Sequence, residues 1–142
     1  MTEAEFDTPL DFNGPGKVGC LGNGTSAVTI FDDQTSIVDV LYSTCRFFEH
    51  ESCGQCTPCR EGTGWMQKIV DRVRRGQGRH EDLKILEQVS DEMGIMPGTT
   101  ICGLADGAGW PVKTAIRKFR PEFEQYVKSG TRTHSLQLVG AH

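Results

Sequence analysis

Residues 53–59 read Cys53-Gly54-Gln55-Cys56-Thr57-Pro58-Cys59, and a fourth cysteine follows much later in Ile101-Cys102-Gly103-Leu104. The two-residue spacers of a C-x2-C-x2-C run let three thiolates curl around one face of a metal cluster, while the fourth ligand comes from a distant loop. This arrangement is typical of a [4Fe–4S] site. The candidate ligands are therefore Cys53, Cys56, Cys59 and Cys102.

Two other interpretations of the run stay open. A lone C-x2-C also occurs in structural zinc sites and in redox dithiols, although zinc sites favour two separated C-x2-C pairs over three cysteines in a row. Four cysteine ligands would leave no open coordination position, so we expect electron transfer or structural stabilisation here, not hydrolysis. Of the other cysteines, Cys45 lies on an apolar helix face and is expected in the core, whereas Cys20 gives no signal.

The composition limits the class of protein. The chain has 142 residues and a net charge of −4, which suits one domain and argues against the electropositive field of a nucleic-acid-binding protein. Its apolar runs are too short for direct membrane insertion, and its acidic start, MTEAEFDTPL, is unlike a secretory signal. We therefore expect a cytoplasmic protein, whose six cysteines favour metal or redox chemistry over disulfides.

Helical spacing of apolar residues dominates the region around the cysteines. We predict a first helix over about 37–50, begun by Ser36 and Asp39, and a second that starts at Trp65, after an interruption at Gly62 to Gly64, and ends before Gly76. A third helix is predicted over about 80–93, a fourth beginning at Pro111, and a short one around 123–127 after a break at Pro121. The expected fold class is mainly α, a bundle of four to five helices.

The N-terminal part differs from the rest. Ala27 to Phe31 is typical of a short β-strand, which cannot be stable alone and indicates a fragment of a larger sheet domain. The segment 14–19 formally matches G-x-G-x-x-G, but no strand precedes it and no helix follows it, so we interpret its glycines as turns. The expected domains are 1–33 (loop and strand remnant), 34–130 (helical bundle) and 131–142 (disordered tail).

The segment 50–62 (HESCGQCTPCREG), together with 100–107 (TICGLADG) and 110–112 (WPV), resembles the C-terminal iron–sulfur domain of the NADH-binding flavoprotein subunits (the F subunits) of NADH-quinone oxidoreductases (complex I). The resemblance implies that Cys53, Cys56, Cys59 and Cys102 bind the [4Fe–4S] cluster that takes electrons from FMN. It also implies that the bundle follows a β-grasp domain, of which 27–31 would be a remnant. NAD-linked hydrogenases and formate dehydrogenases have similar flavoproteins.

The family's FMN- and NADH-binding half has no counterpart in this chain. We therefore expect a component of an NADH dehydrogenase that does not oxidise NADH alone. The partners implied by the resemblance are the FMN/NADH-binding portion, a thioredoxin-like [2Fe–2S] subunit and a large iron–sulfur subunit, in a complex peripheral to the inner membrane. The alternative is an interaction domain whose fold is stabilised by a zinc ion or by a cluster, or a truncated subunit without a catalytic partner.

Other side chains receive simpler interpretations. The basic cluster is interpreted as a solvated helix end and consists of Arg72, Arg74, Arg75, Arg79 and His80. His50 and Arg60 flank the cysteine run and could tune a cluster through charge or hydrogen bonds. Trp65 and Trp110 follow the two cysteine segments and are expected to exclude water as core residues.

Overall fold

The fold is mainly α, as predicted. A computed structural model describes residues 5–95 and 99–129. Within these ranges the helices are α1 (Gly14–Lys17), α2 (Ile37–Glu51), α3 (Thr57–Arg74), α4 (His80–Ser90) and α5 (Leu104–Ser129), and a π-helical turn, Asp91–Ile95, follows α4. Because α1 is a single turn, the bundle is made by the four longer helices.

One hydrophobic core holds the bundle together. α3 and α5 each pack against α2, against α4 and against each other. The interior side chains are apolar residues at helical spacing, and they include Val38, Leu41, Met66, Val70, Val73, Leu83, Leu86, Val112, Ile116 and Phe123. The two segments that carry cysteine are thus attached to helices fixed by the same core.

The start of α2 agrees with the sequence. The Ser36 hydroxyl accepts a hydrogen bond from the Asp39 backbone N–H at 3.2 Å, as an N-cap does. The same hydroxyl lies 3.0 Å from the Tyr126 hydroxyl of α5, and the Ile37 N–H donates to Glu122 Oε1 at 2.9 Å. The N-terminus of α2 is therefore capped locally and also tied to the C-terminal half of α5.

The interruption predicted at Gly62 to Gly64 is wrong. α3 begins at Thr57, with Pro58 in its first turn, and continues through both glycines to Arg74. A Cβ on Gly62 would lie 2.7 Å from Met93 Sδ, so the missing side chain makes room for a buried methionine. Packing at this position offsets the helix cost of glycine, about 1 kcal/mol.

The start predicted for the fourth helix at Pro111 is also wrong. α5 begins at Leu104, and its first two turns bury Ala105 and Ala108 in line with Val112. Because the residues on this face are small, the sequence indicates an apolar helix face here only weakly, and the first two turns were not predicted. The break predicted at Pro121 is present as a kink at Phe119, where φ is −122° and ψ is 25°.

The strand predicted at 27–31 is not formed. In the described part of the chain residues 27–31 adopt no regular secondary structure, and Val28 and Ile30 are 68% and 89% exposed. A β-strand requires a partner for its backbone hydrogen bonds, which explains why β-branched residues alone do not produce one. The segment 14–19 also has no preceding strand, but the interpretation of its glycines as turns is wrong for Gly14 and Gly16, which lie in the single helical turn α1.

The predicted tail, residues 131–142, lies outside the described residues, as does residue 130 at the predicted end of the bundle domain. None of the helices that are described combines the length and the apolar character needed to cross a bilayer.

Candidate metal centre

A cavity of about 130 Å³ lies where the end of α2, the start of α3 and the segment before α5 meet. The residues that line it are Glu51, Ser52, Cys53, Gln55, Cys56, Cys59, Thr100, Cys102 and Leu104. All four cysteines singled out from the sequence therefore face one cavity, although forty-two residues intervene between Cys59 and Cys102.

The backbone of the cysteine run is half loop and half helix. Gly54 has a φ of +77°, a conformation that favours glycine, and it turns the chain between the first two cysteines. Cys56 is the N-cap of α3 and has extended backbone angles, whereas Cys59 lies in the first helical turn. The sequence placed the whole run in a loop, and the early start of α3 is the reason for the difference.

The four thiols differ in their surroundings. Cys59 is buried, Cys56 is partly buried, and Cys53 and Cys102 are exposed. The cavity therefore has a side turned toward the interior of the bundle and a side that reaches the protein surface.

Two hydrogen-bonding groups contact sulfur atoms. The Ile101 backbone N–H donates to Cys56 Sγ at 3.3 Å, and Ser52 Oγ lies 3.4 Å from Cys59 Sγ. The sequence did not indicate either contact. Any residue type can supply a backbone N–H such as that of Ile101, and the position of Ser52 beside Cys53 does not indicate that its hydroxyl contacts the sulfur of Cys59.

Helix termini contribute to the electrostatics of the cavity. The positive end of the α3 dipole lies at Cys56, whose side chain makes no capping hydrogen bond, and α5 begins at Leu104 on the cavity wall. Both termini favour an anionic group. The C-terminus of α2 and the Glu51 carboxylate act in the opposite sense, so two positive helix ends meet one negative end.

The two charged residues considered for tuning have different surroundings. Arg60 donates to the Gly54 carbonyl oxygen at 2.7 Å and pairs with Glu61 at 3.1 Å, so it braces the turn between Cys53 and Cys56. The His50 side chain is 84% exposed and contacts the Glu51 carboxylate at 3.1 Å. Arg60 is thus the one placed to act on the cysteine loop.

The remaining candidates belong to the scaffold. Cys45 is a core residue, as predicted, and burial raises the pKa of its thiol to about 12. Cys20 is partly buried beside a different cavity. The basic cluster spans the end of α3 and the start of α4, and it pairs with acidic side chains, including Arg72 with Asp82 and Arg75 with Asp71. The role predicted for Trp65 is wrong, because it is 55% exposed.

The donor set fits an iron–sulfur cluster. Within the described ranges, no three or more His, Cys, Asp or Glu side chains form a group that could hold a metal ion. In a tetrahedral zinc site each sulfur lies about 2.3 Å from one ion. Four thiols spread around a cavity of about 130 Å³ instead match the donor set of a [4Fe–4S] cluster, so the residues present fit that group.

Comparison with known proteins gives a consistent result. Residues 39–126 match the family described as the NADH-ubiquinone oxidoreductase-F iron-sulfur binding region. The F subunit of the NADH-quinone oxidoreductase of Mycobacterium tuberculosis (strain H37Rv) is 43% identical over 130 residues, which is 92% of this chain and 28% of the relative. The mitochondrial NADH dehydrogenase [ubiquinone] flavoprotein 1 of Dictyostelium discoideum is 44% identical over 107 residues, covering 75% of this chain and 22% of its own length.

A solved structure is also similar. The NAD+-reducing [NiFe]-hydrogenase in its H2-reduced state has a chain that superposes with a TM-score of 0.63 at 34% identity, covering 70% of this chain and 16% of that one. The chain spans about a quarter of the length of the curated relatives that it matches. The family match includes all or most of each of the four long helices and all four clustered cysteines, so the chain belongs to the family of NADH-ubiquinone oxidoreductase-F iron-sulfur binding regions.

Proposed function

We propose that this chain holds one [4Fe–4S] cluster on Cys53, Cys56, Cys59 and Cys102 and serves as an electron-transfer module of an NADH:quinone oxidoreductase. The observation that carries the proposal is the convergence of all four thiols on one cavity from two separate segments of the chain. A bound cluster of this kind would accept and donate single electrons.

The chain's own residues have three tasks in this function. Cys56 and Cys59 anchor the interior side of the site, where Ile101 and Ser52 contact their sulfur atoms. Arg60 braces the intervening turn. Cys53 and Cys102 lie at the surface, where the redox group of a partner can approach. Because electron transfer moves no substrate group and no proton, the proposed function needs no substrate pocket or proton donor at this site.

The relatives support a proposal for the wider setting. We place the chain between FMN and further iron–sulfur centres, with FMN and NAD bound by a separate segment or partner, so the chain alone does not oxidise NADH. Its proposed partners are that FMN/NADH-binding portion, a thioredoxin-like [2Fe–2S] subunit and a large iron–sulfur subunit, in a cytoplasmic complex peripheral to the inner membrane. Residues 1–33 would then be the remnant of a β-grasp domain.

A second setting is favoured by the similarity to the hydrogenase chain. The same module would serve in an NAD-linked hydrogenase, where it would pass electrons between a different set of centres. Co-purification of the chain from its host separates the two settings. A nickel-containing partner would indicate the hydrogenase, whereas partners with quinone reductase activity would indicate the NADH:quinone oxidoreductase.

The test is anaerobic reconstitution of the 142-residue chain with iron and sulfide. We expect iron and sulfide in equal amounts, about four of each per chain, broad absorbance in the visible range and an EPR signal after reduction. One zinc ion per chain, with no sulfide, would instead support a structural zinc domain and contradict the proposal.

Matched cysteine variants make this test specific. Cys102→Ser removes a ligand and is expected to lower the bound iron and change the EPR signal, whereas Cys20→Ser is expected to bind as the unsubstituted chain does, because Cys20 lies beside another cavity. Equal losses in both variants would count against the assigned ligand set.

A further inference from the structure

We propose that the Ser52 hydroxyl donates a hydrogen bond to the Cys59 thiolate and thereby raises the reduction potential of an iron–sulfur cluster held at this site. The inference rests on the proposed function and deepens it, because it assigns a tuning role to a residue that is not a ligand.

The absence of a proton on a metal-bound thiolate fixes the direction of this hydrogen bond. Ser52 Oγ lies 3.4 Å from Cys59 Sγ, and either atom could be the donor when the cysteine carries its proton. A metal-bound thiolate has no proton, so the hydroxyl must donate. The Gly54 backbone nitrogen lies 3.4 Å from the same oxygen and donates to it, which occupies a lone pair and leaves the hydroxyl proton free for the sulfur.

The backbone holds Ser52 on both sides. Ser52 is the C-cap of α2, and its N–H donates to the Phe48 carbonyl oxygen at 3.1 Å. Arg60 holds the carbonyl of Gly54 on the following turn at 2.7 Å. The hydroxyl is therefore positioned by the end of one helix and a braced turn, so the contact costs little additional ordering on cluster binding.

The electrostatic effect has a definite sign. Reduction adds one electron and no proton at the site, so the ligand sulfurs become more negative and accept hydrogen bonds more strongly. A donor at Cys59 Sγ thus stabilises the reduced state more than the oxidised state. Because Cys59 is only 7% exposed, water screens this interaction weakly. The Ile101 N–H at Cys56 acts in the same sense, but a side-chain substitution cannot remove it.

The test compares Ser52→Val with Ser52→Thr in the reconstituted full chain, because these two side chains have the same shape and only threonine keeps the hydroxyl. Dithionite titration followed by EPR gives the midpoint potential. For Ser52→Val we expect the ratio of reduced to oxidised cluster at a fixed ambient potential to be about tenfold lower. This corresponds to a midpoint potential that is about 59 mV more negative for one electron. Ser52→Thr and the exposed-site control Ser43→Ala are expected to keep the potential of the unsubstituted chain.

Ser52→Ala, which adds no atoms, is measured beside this pair and is expected to shift in the same direction as Ser52→Val. The proposal is overturned if the loaded Ala or Val variant keeps the original potential, or if the Val and Thr variants shift equally. It is also overturned if the Ala variant loses the cluster while the Ser43→Ala chain retains it, because the hydroxyl would then serve assembly. Failure of the unsubstituted chain to load would instead refute the proposed function.

Discussion

Asp82 is a fully buried carboxylate near the start of α4. Burial by itself would raise its pKa, but hydrogen bonds from the Arg72 guanidinium at 3.0 Å and from the Arg79 backbone N–H at 2.8 Å outweigh this effect. The charges of both arginines act in the same direction, so the pKa of Asp82 is lowered. The basic cluster recognised in the sequence therefore stabilises the junction of α3 and α4.

We expect Asp82→Asn to lower the free energy of unfolding by about 1–3 kcal/mol at pH 7, the cost of weakening a buried hydrogen-bonded charge. Because the folded-state pKa is lowered, the stabilisation is fully present above about pH 4, the ordinary range of aspartate in an unfolded chain. It is lost as the pH falls through the folded-state pKa. Urea unfolding of the unsubstituted and Asp82→Asn chains at several pH values measures the difference in their free energies of unfolding. A difference that stayed constant down to about pH 2 would contradict the lowered pKa of Asp82.

The close approach between the end of α4 and the first half of α5 depends on Gly109. A Cβ built on this residue would lie 2.8 Å from the Ser90 carbonyl oxygen. The obstacle is backbone and cannot rotate away, so the two helices would have to move apart. The same approach supports the cysteine site, because α5 begins at Leu104 on the cavity wall.

We expect Gly109→Ala to lower the free energy of unfolding by about 1–3 kcal/mol, the usual cost of overpacking. Gly64→Ala is the matched control, because nothing lies within 4 Å of its added Cβ, and it should stabilise α3 by about 0.5–1 kcal/mol through helix propensity. Thermal unfolding of the two variants checks the prediction. Equal melting temperatures of the two variants would mean that α4 and α5 are less closely packed at Gly109 than the structure indicates.

Across the molecule as a whole, the cysteine site links two segments that are distant in sequence. Cys53, Cys56 and Cys59 sit at the start of α3, whereas Cys102 precedes α5, and the core holds both helices together. A group bound by all four thiols would cross-link the chain across the forty-two residues that separate Cys59 from Cys102. Folding and cluster binding should therefore be coupled.

We expect the loaded chain to unfold at a higher temperature than the metal-free chain. Closing a loop of about 40 residues is worth about 4 kcal/mol by chain entropy alone. Cys102→Ser should remove most of this gain, because only the short run would then remain linked. Calorimetry of both chains, with and without cluster, measures the difference, and an undiminished gain in the Cys102→Ser chain would show that the link does not pass through Cys102.

Much of the fold could be predicted because its signals are local. Helical spacing of large apolar residues predicted α2, the second half of α3 and α4, and Ser36 marked a helix start. The errors occur where packing overrides local preference. Gly62 continues a helix because Met93 fills the space of its missing side chain. Residues 27–31 do not form a strand because strand pairing depends on a partner segment, not on β-branched residues alone.

The amino-acid order was enough to select the four sulfur atoms to consider, because the spacing of the cysteine run restricts the geometry of three of them and Cys102, in a distant segment, completes a set of four, as the family resemblance also implies. The folded structure was needed to show that Cys102 faces the same cavity, that Cys53 and Cys102 reach the surface, and that Ser52 and Ile101 contact the sulfurs of Cys59 and Cys56. These features could not be predicted because exposure and hydrogen bonding at a sulfur atom depend on packing among helices, and spacing along the chain does not encode that packing.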